Sequence, residues 1–154
     1  MTTNAFRAKR ALIDLLKDNT GTGELLEGVQ VASSWRGDLE LKAIYGGGVG
    51  FVQQPSVVEA PGLLVNEDAI VHLYAHVIHR PPTEDGTDAT DEELDDLWAA
   101  VGQVLIQNPK FGGGFSFVGI QSGDADYNKT DDDIRSLGVI RIVINTQLTY
   151  GVDE

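Results

Sequence analysis

The strongest constraint lies near the end of the chain, where Leu137 to Tyr150 alternates with a period of two. Ile140, Ile142, Ile144, Thr146, Leu148 and Tyr150 fall on one face, and Val139, Arg141, Val143, Asn145, Gln147 and Thr149 on the other. A second run, Ala69 to Arg80, follows the same rule. Val71, Leu73, Ala75 and Val77 share one face; Ile70, His72, Tyr74, His76 and Ile78 share the other, and Pro81-Pro82 closes the run. Both runs predict long strands with apolar residues on both faces. Such strands need cover on two sides, and one small domain has little to supply it, so association of subunits is expected.

Two segments read as helices. From Asn4 to Lys17, Phe6, Ile13 and Leu16, with Ala5, Leu12 and Leu15 alongside, recur at three- and four-residue steps. Asn4 serves as a cap and Asn19-Thr20-Gly21 as a stop. Thr90-Asp91-Glu92-Glu93 spells a capping box that opens a helix through about Gln107. Leu94, Leu97, Trp98, Val101 and Leu105 form its buried stripe, and Asn108-Pro109 ends it. Val29 and Val31, then Leu39, Leu41 and Ala43, alternate on either side of Arg36-Gly37-Asp38, which signals a β-hairpin. The tripeptide also spells an integrin-binding motif, but a plain turn explains it. Gly46 to Gly50 opens a loop running through Pro55 to Pro61, with a short strand near Val57–Val58. Phe115, Phe117 and Val118 to Gln121 give one more strand, followed by an acidic loop. The order α-β-β-(β)-β-α-β-β implies an α+β fold: a mostly antiparallel β-sheet flanked by two α-helices. No internal repeat or boundary divides residues 1–154, so one domain is expected.

Charge enters because it is unevenly placed. The chain has 24 Asp and Glu against 11 Lys and Arg, a net charge of −13. Glu84, Asp85, Asp88, Asp91, Glu92, Glu93, Asp95 and Asp96 occupy one stretch without a base. Asp124, Asp126, Asp131, Asp132 and Asp133 occupy another, with Lys129 alone opposing them. Those stretches carry −8 and −4, and the remaining residues only −1. The N-terminal segment runs the other way, with Arg7, Lys9, Arg10 and Lys17 against Asp14 and Asp18. As solvated loops the acidic stretches would serve solubility. As functional segments they would face a shared space or a basic partner. Either way, double-stranded nucleic acid and anionic membranes are disfavoured as direct partners, since both select basic surfaces.

The chain has no cysteine, which excludes disulfides, thiolate metal sites and a thiol nucleophile. His72, His76 and His79 do not make a metal site in a strand: the first two stand roughly 13 Å apart and the third lies on the opposite face. Asp124-Ala125-Asp126-Tyr127-Asn128 copies the start of a calcium loop, but Lys129 replaces the turn glycine and Arg135 the bidentate glutamate. Neither glycine triplet continues into a phosphate loop. Gly114 to Gly119 misses the nucleophile-elbow spacing by one residue. The carboxylates sit in exposed runs, not in an apolar pocket that would raise one pKa. No cofactor, metal or catalytic residue is called for, and the expectation is a protein that is not an enzyme. No signal peptide is evident, and the longest apolar runs fall short of a membrane span, so a soluble protein made in a cytoplasm is expected.

Taken in order, four features resemble the tail terminator proteins of long-tailed bacteriophages. They are the amphipathic helix Ala5–Lys17, the strand pair with its glycine-rich extension (Val29–Phe51), and the long strand Ile70–Arg80 followed by the helix Glu92–Gln107. The last is a strand, a long polar loop and the closing strand Gly138–Tyr150. The resemblance spans nearly the whole chain. It implies a virion protein at the head-proximal end of the tail. There it would form a homo-oligomeric, hexameric ring that caps the tail tube protein, stops its polymerisation and presents a surface to the head–tail connector or neck protein. The family has no catalytic residues, and its long loops contact neighbouring subunits and the tube. DNA would pass through without specific binding, which suits an acidic lining formed by Glu84–Asp96 or Asp124–Asp133. A neck or head–tail completion protein of the same virion is the alternative reading. A second alternative is an acidic binding module such as a DNA mimic, although a mimic should spread its acids over one face at phosphate-like spacing.

Overall fold

A computed structural model of the chain describes residues 4–35, 41–51, 56–57, 63–80, 87–129 and 133–150. The elements are α1 (Asn4–Lys17), β1 (Gln30–Ala32), β2 (Lys42–Phe51), β3 (Ser56–Val57), β4 (Leu63–His79), α2 (Thr87–Gln107), β5 (Lys110–Phe111), β6 (Phe115–Lys129) and β7 (Ile134–Tyr150). The two alternating runs become β4 and β7. They pair antiparallel along their whole length, from Leu63 opposite Tyr150 to His79 opposite Ile134, a ladder about 55 Å long at strand rise. Around it the seven-stranded sheet is ordered β1-β2-β4-β7-β6-β5, with β3 beside β4. The fold is α+β, as the element order implies.

Register fixes the two faces. Val71 lies opposite Ile142 and Leu73 opposite Ile140, and this face is sealed by the helices. Leu12, Ile13 and Leu16 of α1 and Leu94, Leu97, Val101, Val104 and Leu105 of α2 join these strand residues in one buried cluster. Both helices end on an asparagine whose side-chain amide donates to the carbonyl four residues back: Asn19 to Leu15 at 2.9 Å and Asn108 to Val104 at 3.0 Å. The Asn19 bond satisfies a last-turn carbonyl, and at Asn108 the side-chain amide joins its own backbone N–H, which donates to the same Val104 carbonyl at 3.0 Å. Among the described residues, no helix is long and apolar enough to cross a membrane.

Several local expectations are corrected. The segments around Val31 and Ala43 do not form a hairpin: β1 and β2 run parallel, with Val31 opposite Ile44. A parallel neighbour needs a return connection, and the three residues of β1 make that return short. The Arg36-Gly37-Asp38 tripeptide lies outside the described residues. Gly46 to Gly50 is not a loop but part of β2, carried by a register shift between Gly46 and Val49. The acidic stretch after Gln121 is mostly strand: β6 continues to Lys129, with Asp124 opposite Val139 and Asp126 opposite Leu137. Asp is a poor strand former, but pairing along β7 overrides local propensity. The same pairing removes any calcium-loop geometry there.

Helix details change too. Phe6 lies on the exposed side of α1, one position off a stripe of Ala5, Ala8, Leu12, Ile13 and Leu16. Small residues in the first turns let the helix sit close to the sheet and leave no room for the ring. Phe6 instead lies under the Arg10 guanidinium at 4.7 Å and the Lys9 ammonium at 5.6 Å. The second helix begins at Thr87, so Thr90 is interior and buried, not a cap. Its hydroxyl pairs with Ser136 Oγ of β7 at 2.7 Å.

After β5 the chain turns through Gly112 and Gly113, both with positive φ, of 60° and 78°. A Cβ on Gly112 would press on Ala11 of α1 and on the Phe115 ring, whereas one on Gly113 would meet open space. Gly112→Ala is therefore expected to cost about 2–4 kcal/mol, from left-handed strain plus overpacking, and Gly113→Ala about 1 kcal/mol. Urea denaturation of both variants checks this; equal losses would contradict the close approach of α1.

Candidate functional site

The two acidic stretches, distant in sequence, meet at one end of the sheet. The first turns of α2 lie over the end of β7, where Ser136 Oγ donates a hydrogen bond to the Asp91 carboxylate. Beside it Glu93 reaches His79 Nε2 at 3.1 Å and Lys42 Nζ at 4.0 Å. With its proton on Nε2, His79 donates to Glu93 and leaves buried Nδ1 as an acceptor, which is less costly to leave unpaired than a donor. His79 pairs with Ile134, at the mouth of the β6–β7 hairpin, and there Asp133 is held. One Asp133 oxygen accepts from Arg80 at 3.0 Å and from Arg135 at 3.1 Å.

These contacts divide the sequence candidates. Asp91 and Glu93 are engaged with neighbouring elements, and the Asp133 side chain is only 6% exposed. Of these three only Asp133 is drawn inward; Asp91 stays exposed and the Glu93 side chain is 40% exposed while each bonds a neighbouring element. Glu92, Asp95 and Asp96 remain exposed on α2. Asp88 lies in the first turn of α2, and Asp124 and Asp126 in β6. Glu84, Asp85, Asp131 and Asp132 lie outside the described residues. Sequence reasoning missed Lys42, Arg80, Arg135 and Ser136, whose only sequence signal is their position at strand ends.

The sheet face away from the helices carries aromatic and imidazole groups. Tyr45 and Tyr74 are opposite in register and stack at 5.7 Å with planes 9° apart, and His76 tilts against Tyr45 at 5.9 Å. The β2 glycines fold over this face. A Cβ on Gly47 would strike the Tyr74 ring, and Gly48 O accepts from His72 Nδ1 at 2.9 Å, so the His72 proton sits on Nδ1. Ile70, Ile78 and Val139 complete a half-buried surface, with Leu137 exposed. His72 and His76 thus share this face and His79 lies on the other. Among the described residues, no three His, Asp or Glu side chains are grouped to hold a metal ion.

A third feature is a groove of roughly 470 Å³ between α1 and the β5–β6 turn. Arg7 and Arg10 stand at one side, Asp14 and Asp18 at the other, with Leu15, Phe111 and Phe115 among its walls. Sequence reasoning noted the basic segment but not the aromatic wall brought to it.

No protein-family model matches the chain, and no curated protein matches it in sequence. Among solved structures, a chain of the virion of native gene transfer agent (GTA) particle shares the fold. Its TM-score is 0.51 at 17% identity, covering 94% of this chain and 99% of that one. At that identity the likeness is one of fold.

Two outcomes follow from the site. Burial raises the Tyr45 pKa above its ordinary value of 10.0, and the neighbouring Tyr74 adds to the shift. The folded state therefore holds the Tyr45 proton more tightly than the unfolded state does. Its contribution is complete below about pH 10 and falls as pH rises through the folded value. Tyr45→Phe should flatten the alkaline limb of a stability–pH curve; an unchanged slope would contradict it. Asp133→Asn should cost about 1–3 kcal/mol in urea denaturation, because it removes the shared countercharge, while the half-exposed guanidiniums recover some hydration. A loss below about 0.5 kcal/mol would show the cluster to be incidental.

Proposed function

We propose that this chain is a structural virion protein of a phage-like particle, acting by assembly and not as an enzyme. In the finer reading it caps the tail tube as a homohexameric ring, stops tube polymerisation and forms the interface to the head–tail connector. The observation that carries the coarse reading is the fold likeness to a chain of the gene transfer agent virion along almost the full length of both chains. The order of elements, which resembles tail terminators, carries the finer one. The face on which Tyr74 and His76 are half-buried and Leu137 is exposed supports association, since no helix covers it among the described residues. The acid excess suits a ring through which DNA passes without sticking. No described group favours the neck-protein alternative over this reading.

The test is addition of the purified chain to tubes of its own tail tube protein during growth, followed by negative stain. Elongation should stop, with one ring at one end of each tube. Continued growth with no ring bound would overturn the terminator reading, and binding of twelve-fold rings to the head connector alone would move the chain to the neck.

A further inference from the structure

The two helices present exposed stripes of opposite character. On α1, Phe6, Arg10, Asp14 and Lys17 recur at steps of four, four and three, all exposed, beside the groove walled by Phe111 and Phe115. The helix has four bases against one acid, and the first three bases, Arg7, Lys9 and Arg10, lie together without an acid among them. On α2, Glu92, Asp95, Ala99, Gln103 and Ile106 recur at steps of three and four, and all are exposed. That helix has six acids and no base, and Ile106 is 66% exposed at the far end of the stripe.

The stripes lie at different levels of one sheet. Bonds to Ser136 hold the start of α2. By contrast, α1 approaches Gly46, level with Ile140 through Leu73, and Gly112, beside Phe115 and level with Thr146. That offset is about 13–33 Å along β7, so the acidic start of α2 lies away from the α1 groove of its own chain. A two-fold contact of α2 with itself would set acid against acid, whereas the α1 groove carries Arg7 and Arg10 at one side and Asp14 and Asp18 at the other. The Arg7 and Arg10 side of the groove complements the acidic start of α2 from a second copy, and such a head-to-tail contact repeated with rotation closes a ring.

We propose that the α1 groove, with Arg7 and Arg10 at one side, is the docking site for the acidic, Ile106-bearing stripe of α2 from a second copy of this chain. The inference deepens the ring reading and rests on it. It assigns the exposed acids of α2 to the contact between subunits.

Charge exchange tests it. One full-length variant carries Arg7→Glu and Arg10→Glu, the other Glu92→Lys, Asp95→Lys and Asp96→Lys; circular dichroism verifies folding. Arg10→Glu and Asp95→Lys alone serve as milder forms. By sedimentation velocity at low salt, each variant alone should need at least about tenfold more protein to associate than the wild type. Mixed in equal amounts, they should recover wild-type association as alternating, even-numbered rings, because every contact then again joins a base to an acid. If the wild type forms rings but the mixture recovers nothing, or if either variant associates as well as the wild type, the contact is wrong and the ring reading stands. If the wild type and the mixture both remain monomeric at every concentration and on tube ends, both fall.

Discussion

Everything else in the fold hangs on the β4–β7 ladder. Its full-length register places Val71, Leu73, Ile142 and Ile144 on one face, and that face gives both helices their apolar seat. A shift of one residue would turn those side chains to the other face and bring Tyr74 and His76 under the helices. The ladder is also long enough to hold two sites apart, an acid-rich end at Ser136 and a basic helix nearer Thr146. Its length therefore underlies the polarity of the molecule as well as its stability.

Much of this frame could be read from the residues alone. The alternation in 69–80 and 137–150 and the three- and four-residue spacing in the helices are strong because each reports one face buried throughout. Direction and partnership were harder to read. Alternation around Val31 and Ala43 marks strands but not their relative direction, and the parallel pairing of β1 with β2 leaves no local signature. The Asp124–Asn128 segment looks like a loop by propensity, yet it has an ordered neighbour in β7 to pair with. The glycine run looks like a loop for a similar reason; it belongs to a strand because Tyr74 and His72 leave no room for a side chain at Gly47.

The candidate site was legible only as composition. That the acids cluster was plain, but which of them face outward depends on residues far away in sequence: Ser136 is 45 positions from Asp91, and Arg80 is 53 from Asp133. Asp91, Glu93 and Asp133 tie α2, β4 and β7 together, and of the three only Asp133 is buried. The net charge of −13 thus includes acids that bond neighbouring elements as well as Glu92, Asp95 and Asp96 at the surface. The Phe111 and Phe115 walls beside Arg7 and Arg10 could not have been foreseen, since they reach α1 only through the tight turn at Gly112.

The central claim is that this chain works by closing on copies of itself. Native mass spectrometry of the full-length protein, alone and on tube ends, tests it most directly. The account predicts a closed assembly of discrete mass, a hexamer, that dissociates as ionic strength rises. A chain that stays monomeric both alone and on the tube, or an open series of masses with no closed species, would contradict it.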